Sequence, residues 1–214
     1  MLKTLKAMRG ISVVLIIVAY AMLVHHVNTS GQSSMLGALL ALAPLLLITL
    51  TFALRVTSKA LGVGLILLFL IASWLALPLI KQHTASIFWL QDICLMLILL
   101  VTFARTLSSG RKAICVHFAE LINGGALSIA HERYAYNVTI AWVIFFATMT
   151  LASSLLFFFA PLANWSFFVN FLTLPLVALM FIVEFLVRRQ VLSDLPESNV
   201  LDAVRAYLNS KSAH

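Results

Sequence analysis

An aspartate within the apolar run "IFWLQDICLMLILL" is the first candidate for chemistry in this sequence. An ionised carboxylate near the centre of a bilayer costs at least about 2.5 kcal/mol on the insertion scale. Asp92 must therefore face the protein interior, remain protonated or pair with a partner. If the apolar run is shifted by a turn, Asp92 can reach Lys81 or His83 near the outer interface. Two hypotheses follow: a protonatable gate, or an interhelical hydrogen bond.

A second candidate is the ionisable group in "FIVEFLVRR". Glu184 precedes Arg188 by four residues, which is the favourable order for an ion pair on one helix. One interpretation is a snorkelling pair that anchors the end of the helix. The other is that Glu184, Arg188 and Arg189 line a cytoplasmic pocket for an anionic head group.

The polar segment "SSGRKAICVHFAELINGG", residues 108–125, has the pattern of a short amphipathic helix. Ile114, Phe118, Leu121 and Ile122 follow helical spacing, and Ser108 or Ser109 is predicted to cap the start. Asn123-Gly124-Gly125 is predicted to end the helix. Ser128 then caps a further helix that continues into an apolar run. A short helix with one apolar face and basic residues at its start is expected in the headgroup layer.

Basic residues bracket this segment, and they allow two interpretations. They either follow the bias of cytoplasmic loops toward Lys and Arg, or they form a docking surface for an acidic partner. The residues concerned are Arg105, Arg111, Lys112 and Arg133.

Known catalytic motifs are missing from the sequence. His25, His26 and His83 are the only histidines grouped toward one predicted face, and nothing in the sequence brings them together as a metal site. No Walker loop, nucleophile elbow, metalloprotease motif or HxxxxD acyltransferase motif is present. We therefore predict no cofactor, no metal and no catalytic residue; a non-enzymatic role is favoured, and an enzymatic role stays open.

The composition is that of a membrane protein. The 214 residues are 63% apolar and only 10% charged, whereas soluble domains carry roughly 25% charged residues. The formal net charge of +7 comes from residues beside the apolar runs. Anionic phospholipid headgroups are therefore the expected partner, rather than nucleic acid.

Six runs are long enough to cross the hydrocarbon core of a bilayer, which takes about 20 helical residues. They are residues 10–26, 35–54, 60–80, 85–105, 137–160 and 165–187. The predicted fold is an all-α integral membrane domain over 1–189, with the amphipathic helix between spans four and five. A cytoplasmic tail follows over 190–214, and it contains a short amphipathic stretch at 198–209.

The orientation follows from the basic residues. With the N-terminus inside, all of the 14 lysines and arginines except Lys81 lie on the cytoplasmic side. Because Lys and Arg favour cytoplasmic loops, both termini are predicted to be cytoplasmic.

The segments "FARTLSSGRKAICVHFAELINGGALSIAHERYAYNVTIAWVIFF" and "LPLVALMFIVEFLVRR" carry a resemblance. The chain resembles bacterial inner-membrane proteins encoded beside acyl carrier proteins, ketosynthases and acyltransferases of aryl-polyene-type lipid synthesis. The match covers residues 103–189. The matching positions are Phe103, Arg105, Thr106, Leu107, Gly110, Arg133, Tyr134, Thr139, Trp142, Phe145, Phe146, Glu184, Arg188 and Arg189. The chain departs from the pattern at Ala113, Tyr136 and Asn137, where that family has a proline and further arginines.

The resemblance implies a pathway and a bacterial inner-membrane location, and three functions are weighed. The first is a non-catalytic scaffold or lipid-handling component that docks an acyl carrier protein or acyltransferase. The second is a small lipid transporter or flippase gated by Asp92. The third is an integral acyl- or glycosyl-transferase. The oligomeric state is left open.

Overall fold

The computed structural model describes residues 2–30, 34–108 and 110–192, with side chains for Met8 and from Gly10 onward. This part of the chain is helical and contains no β-strand. The helices are α1 (Leu2–Ser30), α2 (Met35–Arg55), α3 (Lys59–Gln82), α4 (Thr84–Thr106), α5 (Ile114–Asn123), α6 (Ile129–Phe159), α7 (Leu162–Phe167) and α8 (Thr173–Val191). A π-helical turn, Phe168–Leu172, joins α7 to α8.

Six helical stretches in the described part are long and apolar enough to cross a membrane. The last stretch, Leu162–Val191, combines α7, the π-helical turn and α8. The chain is therefore an all-helical, multi-pass membrane protein, which confirms the predicted fold class. Helix α6 begins at Ile129, before the apolar run of the fifth span, as the predicted helix after Ser128 requires. Hydropathy falls at polar residues, but backbone hydrogen bonding continues through them.

The ends of α5 test the predicted caps. Ala113 precedes the helix and provides no side-chain cap, so the prediction for Ser108 was wrong, and Ser109 lies outside the described residues. The backbone N–H of Ile114 donates instead to Thr106 Oγ1 at 3.0 Å. Gly124 ends the helix at a φ of 70°, a conformation that glycine adopts without strain.

Ser128 caps α6 as predicted. Its hydroxyl accepts a hydrogen bond from the backbone N–H of His131 at 3.3 Å. The predicted helix over 198–209 lies outside the described residues.

The chain forms two compact units, and the first comprises Met1–Ile93 and Ser153–Thr173. Its apolar core consists of Val24, Ala41, Phe88 and Trp165. Trp165 is completely buried, and its ring meets that of Phe157 edge to face at 5.2 Å. A buried tryptophan needs a hydrogen-bond acceptor for its indole N–H as well as apolar contacts for its ring. This core therefore includes a polar partner for Trp165.

The second unit comprises Cys94–Ala152 and Leu174–His214. Within its described residues, Ala113, Val116 and Ala135 form a small buried cluster that packs α5 against the start of α6. An aromatic cluster surrounds Trp142, whose ring lies 4.7 Å from that of Phe181 and 5.4 Å from that of Phe146.

Pro44 interrupts the hydrogen bonding of α2 within the first unit. Because proline has no N–H, the carbonyl four residues earlier loses its helical partner. Leu40 carries that carbonyl, and the hydroxyl of Tyr20 donates to it at 3.1 Å. Gln91 Nε2 donates to the next carbonyl, that of Ala41, at 2.7 Å. Neighbouring helices therefore satisfy the carbonyls beside the proline.

The close pairing of α2 and α3 depends on a glycine. An ideal Cβ placed on Gly62 lies only 2.6 Å from the carbonyl oxygen of Ala53. Small residues at such crossings let helix backbones approach closely in membranes. Gly64, two residues later, has open space around the corresponding position.

We predict that Gly62→Ala destabilises the protein, because the clashing atom belongs to the backbone and the two helices must separate. Overpacking of this kind costs about 1–3 kcal/mol. Gly64→Ala is the matched control, and it is expected to be neutral or to stabilise by up to about 1 kcal/mol through helix propensity. The measurement is the unfolding midpoint in a mixed-micelle denaturant titration. Equal effects of the two substitutions would contradict the role of Gly62.

Candidate functional site

Asp92 lies in a hydrogen-bonded chain that joins three helices of the first unit. Ser153 Oγ donates to Asp92 Oδ2 at 2.5 Å, and Trp165 Nε1 donates to Ser153 Oγ at 3.1 Å. Because an indole N–H is only a donor, it occupies a lone pair of Ser153 and leaves the hydroxyl hydrogen for Asp92. The predicted interhelical hydrogen bond is confirmed, and its partner is Ser153 rather than Lys81 or His83.

This aspartate has no cationic partner in the described part of the chain. The ion pairs found there join Lys112 to Glu120 and Arg188 to Glu184. A carboxylate in an apolar helix without a counter-ion is a group that can exchange a proton. The arrangement is therefore compatible both with a structural hydrogen bond and with a protonatable gate.

A second polar cluster in the first unit surrounds Ser166, which is completely buried. His25 Nδ1 lies 3.1 Å from Ser166 Oγ. Asn28 Nδ2 donates to the same oxygen at 3.3 Å, and Asn170 Nδ2 donates to it at 3.2 Å. Two amide donors fill the lone pairs of Ser166, so its hydroxyl donates to His25.

The Ser166 cluster lies beside the π-helical turn Phe168–Leu172, which contains Asn170. Such turns occur often at functional sites. Asn28 Oδ1 is buried and has no hydrogen-bond partner in the described part of the chain. The cluster thus holds one open acceptor, and its other groups satisfy one another.

The sequence analysis missed most of these residues. It identified Asp92 and the histidines, but it did not single out Asn28, Ser153, Ser166 or Asn170. The sequence did contain a local signal for this cluster. Ser166 and Asn170 are four residues apart, and His25 and Asn28 are three residues apart, so each pair shares one face of its helix.

The second unit brings together three of the predicted site residues: Tyr134, Glu184 and Arg188. The Tyr134 hydroxyl donates to the backbone carbonyl of Glu184 at 3.0 Å and lies 3.4 Å from its Oε1. Arg188 Nε is 3.7 Å from the same carboxylate oxygen, which confirms the predicted ion pair. The carboxylate is thus shared between a phenol and a guanidinium, and the guanidinium remains half-exposed.

Helix α5 is fixed to the second unit by its N-terminal backbone groups. The N–H of Cys115 donates to Thr139 Oγ1 at 3.3 Å, next to the bond from Ile114 to Thr106. Thr139 is completely buried. Burial also raises the pKa of the Cys115 thiol, so this cysteine is a packing residue rather than a nucleophile at neutral pH.

The opposite face of α5 is exposed and apolar. Phe118, Leu121 and Ile122 are 54%, 64% and 57% exposed. Three large apolar side chains on one exposed face need a hydrophobic environment. This arrangement supports the expectation that α5 lies in the headgroup layer.

The remaining predicted basic residues are not gathered into one site. Lys112 pairs with Glu120, whereas Arg105, Arg111, Arg133 and Arg189 are exposed, and the described part of the chain shows no contact that joins them. Among the described residues, no group of three or more His, Cys, Asp or Glu side chains could hold a metal ion.

Comparisons of the chain with protein-family models, with curated proteins and with solved structures gave no match.

We predict that Ser153→Ala destabilises the protein, because it leaves the buried indole N–H of Trp165 without an acceptor and removes the donor to Asp92. Burying an unsatisfied polar group costs about 1–3 kcal/mol. Ser154→Ala, at the next residue on a different helical face, is the control and should cost much less. The measurement is thermal unfolding followed by tryptophan fluorescence, and equal melting temperatures for the two variants would refute the prediction.

Proposed function

We propose that this protein is a non-catalytic membrane scaffold that docks an acidic partner of acyl-lipid synthesis on its cytoplasmic face. The observation that carries the proposal is the geometry of α5. This helix is hydrogen-bonded to the rest of the second unit at its start and exposes its apolar face. Arg111 before it and Arg133 after it have no ion-pair partner among the described residues. A rigid, positively charged segment at the membrane surface suits a docking role.

The charges near α5 divide into two groups. Lys112 is neutralised locally by Glu120, whose carboxylate oxygens lie 2.7 and 3.0 Å from its Nζ. Arg111 and Arg133 are exposed, and neither has an ion-pair partner in the described part of the chain. These two arginines, one before α5 and one after it in sequence, are positive charges available to a protein partner. Opposite charge at a surface raises the rate of encounter more than it strengthens the final complex.

The class of partner comes from the resemblance over residues 103–189. Proteins of that kind are encoded with acyl carrier proteins and acyltransferases, and acyl carrier proteins are acidic. An acidic carrier would meet Arg111 and Arg133 from the cytoplasm. The bacterial inner membrane is the location that this proposal implies.

We predict that the double substitution Arg111→Glu with Arg133→Glu weakens the binding of an acyl carrier protein about tenfold, a change of about 1.4 kcal/mol. The loss should appear mainly in the association rate and should shrink at high salt, because the interaction is electrostatic. Biolayer interferometry with the full chain in nanodiscs measures both rates.

The matched control is the double substitution Arg55→Glu with Lys59→Glu, which reverses two exposed charges at the junction of α2 and α3. This variant carries the same change in net charge, and it should bind the carrier as the parent protein does. If neither high salt nor the substitution of the two arginines changes carrier binding, the proposed docking surface is wrong.

A second candidate function, lipid transport gated by Asp92, is favoured by one specific observation. The carboxylate of Asp92 has Ser153 as its donor and no cation in the described part of the chain. Proton uptake at Asp92 would change its bond to Ser153, and through Ser153 the position of Trp165. Such a coupling between proton and helix packing is what a gated transporter requires.

For this candidate we predict that Asp92→Asn stops the movement of fluorescent phospholipid between leaflets of proteoliposomes. Asparagine keeps the shape and can still accept from Ser153, so the fold should survive while proton exchange is lost. Dithionite quenching of the probe measures the movement, with protein-free vesicles as the baseline. Equal rates in the parent protein and the variant would remove Asp92 from any transport role.

A further inference from the structure

An open groove of about 410 Å³ lies at the C-terminal end of α5. It is lined by Lys112, His117, Glu120, Leu121 and the small residues 124–126. The two glycines leave room next to the helix end, since an ideal Cβ at either position would meet nothing within 4 Å. The groove belongs to the second unit and uses none of the arginines assigned to partner docking.

The groove holds one fixed positive and one fixed negative charge. Lys112 Nζ contacts Glu120, and the side chain of Lys112 is 63% exposed while that of Glu120 is 22% exposed. The hydrogen bond and charge of Glu120 raise the pKa of Lys112, so the lysine is cationic at neutral pH. A groove that contains this ion pair and carries no net charge favours a zwitterion over a simple anion.

The negative side of the groove is reinforced by the backbone. The groove lies at the C-terminal end of α5, where the carbonyl of Glu120 accepts from the backbone N–H groups of Gly124 and Gly125. The C-terminal end of a helix carries partial negative charge and attracts cations. A cation of the ligand is therefore expected beside Glu120, and an anion beside Lys112 and His117.

The apolar rim of the groove indicates what kind of zwitterion it takes. Leu121 lines the groove and belongs to the exposed apolar face of α5 with Phe118 and Ile122. A ligand that joins a charged head to hydrocarbon chains would fill the groove and cover this face at the same time. A phospholipid has this structure.

We propose that this groove binds the headgroup of a phospholipid that carries a primary ammonium, such as phosphatidylethanolamine. The ammonium donates to the carboxylate of Glu120 in place of Lys112, and the released Lys112 donates to the phosphate together with His117. No charge is left unpaired by this exchange. A choline headgroup fits less well, because its quaternary nitrogen has no N–H to donate.

The proposal rests on the headgroup-layer position of α5 that the proposed function also uses. The two remain separable, because partner docking is assigned to Arg111 and Arg133 and lipid binding to Lys112 and Glu120. Absence of lipid selectivity in the parent protein, together with normal carrier binding, would refute only the groove.

The first experiment uses the parent protein and a headgroup series. The full chain in detergent is mixed with phosphatidylethanolamine, its N,N-dimethyl derivative, phosphatidylcholine and phosphatidylglycerol, all with identical acyl chains. Native mass spectrometry then measures which lipid is retained. We expect about tenfold preference for phosphatidylethanolamine over phosphatidylcholine, because one charge-assisted hydrogen bond is at stake. Equal retention of these two lipids, or stronger retention of phosphatidylglycerol, would overturn the proposal.

The second experiment changes the two charges one at a time. Glu120→Gln should abolish the preference for phosphatidylethanolamine and shift retention toward phosphatidylglycerol, since Lys112 is then uncompensated. Lys112→Gln should reduce retention of all the phospholipids and leave the ethanolamine preference in place. Lys59→Gln, which removes an exposed positive charge at the start of α3, is the matched control for Lys112→Gln and should change neither quantity.

A preference that persists in Glu120→Gln would also overturn the proposal. The headgroup series on the parent protein decides the question even if this variant does not fold.

Discussion

A carbonyl or carboxylate in hydrocarbon must find its hydrogen-bond donor within the protein, and the structure of the first unit depends on this constraint. Pro44 frees the carbonyl of Leu40, and Tyr20 reaches it from α1. Asp92 takes the hydroxyl of Ser153, which the indole of Trp165 supports. Each unsatisfied group would cost several kcal/mol in lipid. These few bonds therefore determine which faces of the helices meet.

The same constraint separates the polar residues by role. In the first unit the buried polar residues form two clusters, around Ser153 and around Ser166, whose groups mostly satisfy one another. In the second unit the charged groups of α5 and α8 are partly exposed, and Arg188 and Lys112 keep half or more of their side-chain surface open. Closed clusters hold helices together, whereas open charges remain available to ligands. For this reason the proposals about lipid and partner binding concern the second unit.

Features that depend on local periodicity could be predicted from the sequence, and features that depend on long-range contacts could not. The six spans follow from hydropathy, and the pair Glu184–Arg188 follows from helical spacing. Tyr134 could not be assigned to the same carboxylate, because 50 residues separate it from Glu184. Ser153 lies 61 residues from Asp92. The predicted cap of α5 was wrong for the same reason. A serine near the helix start fits the local rule, but Thr106 of α4 accepts the hydrogen bond from the N–H of Ile114.

Our proposals assign two kinds of recognition to the region of helix α5. Its start is fixed by backbone hydrogen bonds to Thr106 and Thr139, so its position does not depend on its charged side chains. Lys112 and Glu120 cancel each other's charge and create a site that favours a zwitterion. Arg111 is next to that lysine in sequence, but it has no ion-pair partner in the described part of the chain. Its positive charge therefore remains uncompensated. One residue of difference in sequence thus separates a groove suited to a lipid headgroup from a charge suited to an acidic protein.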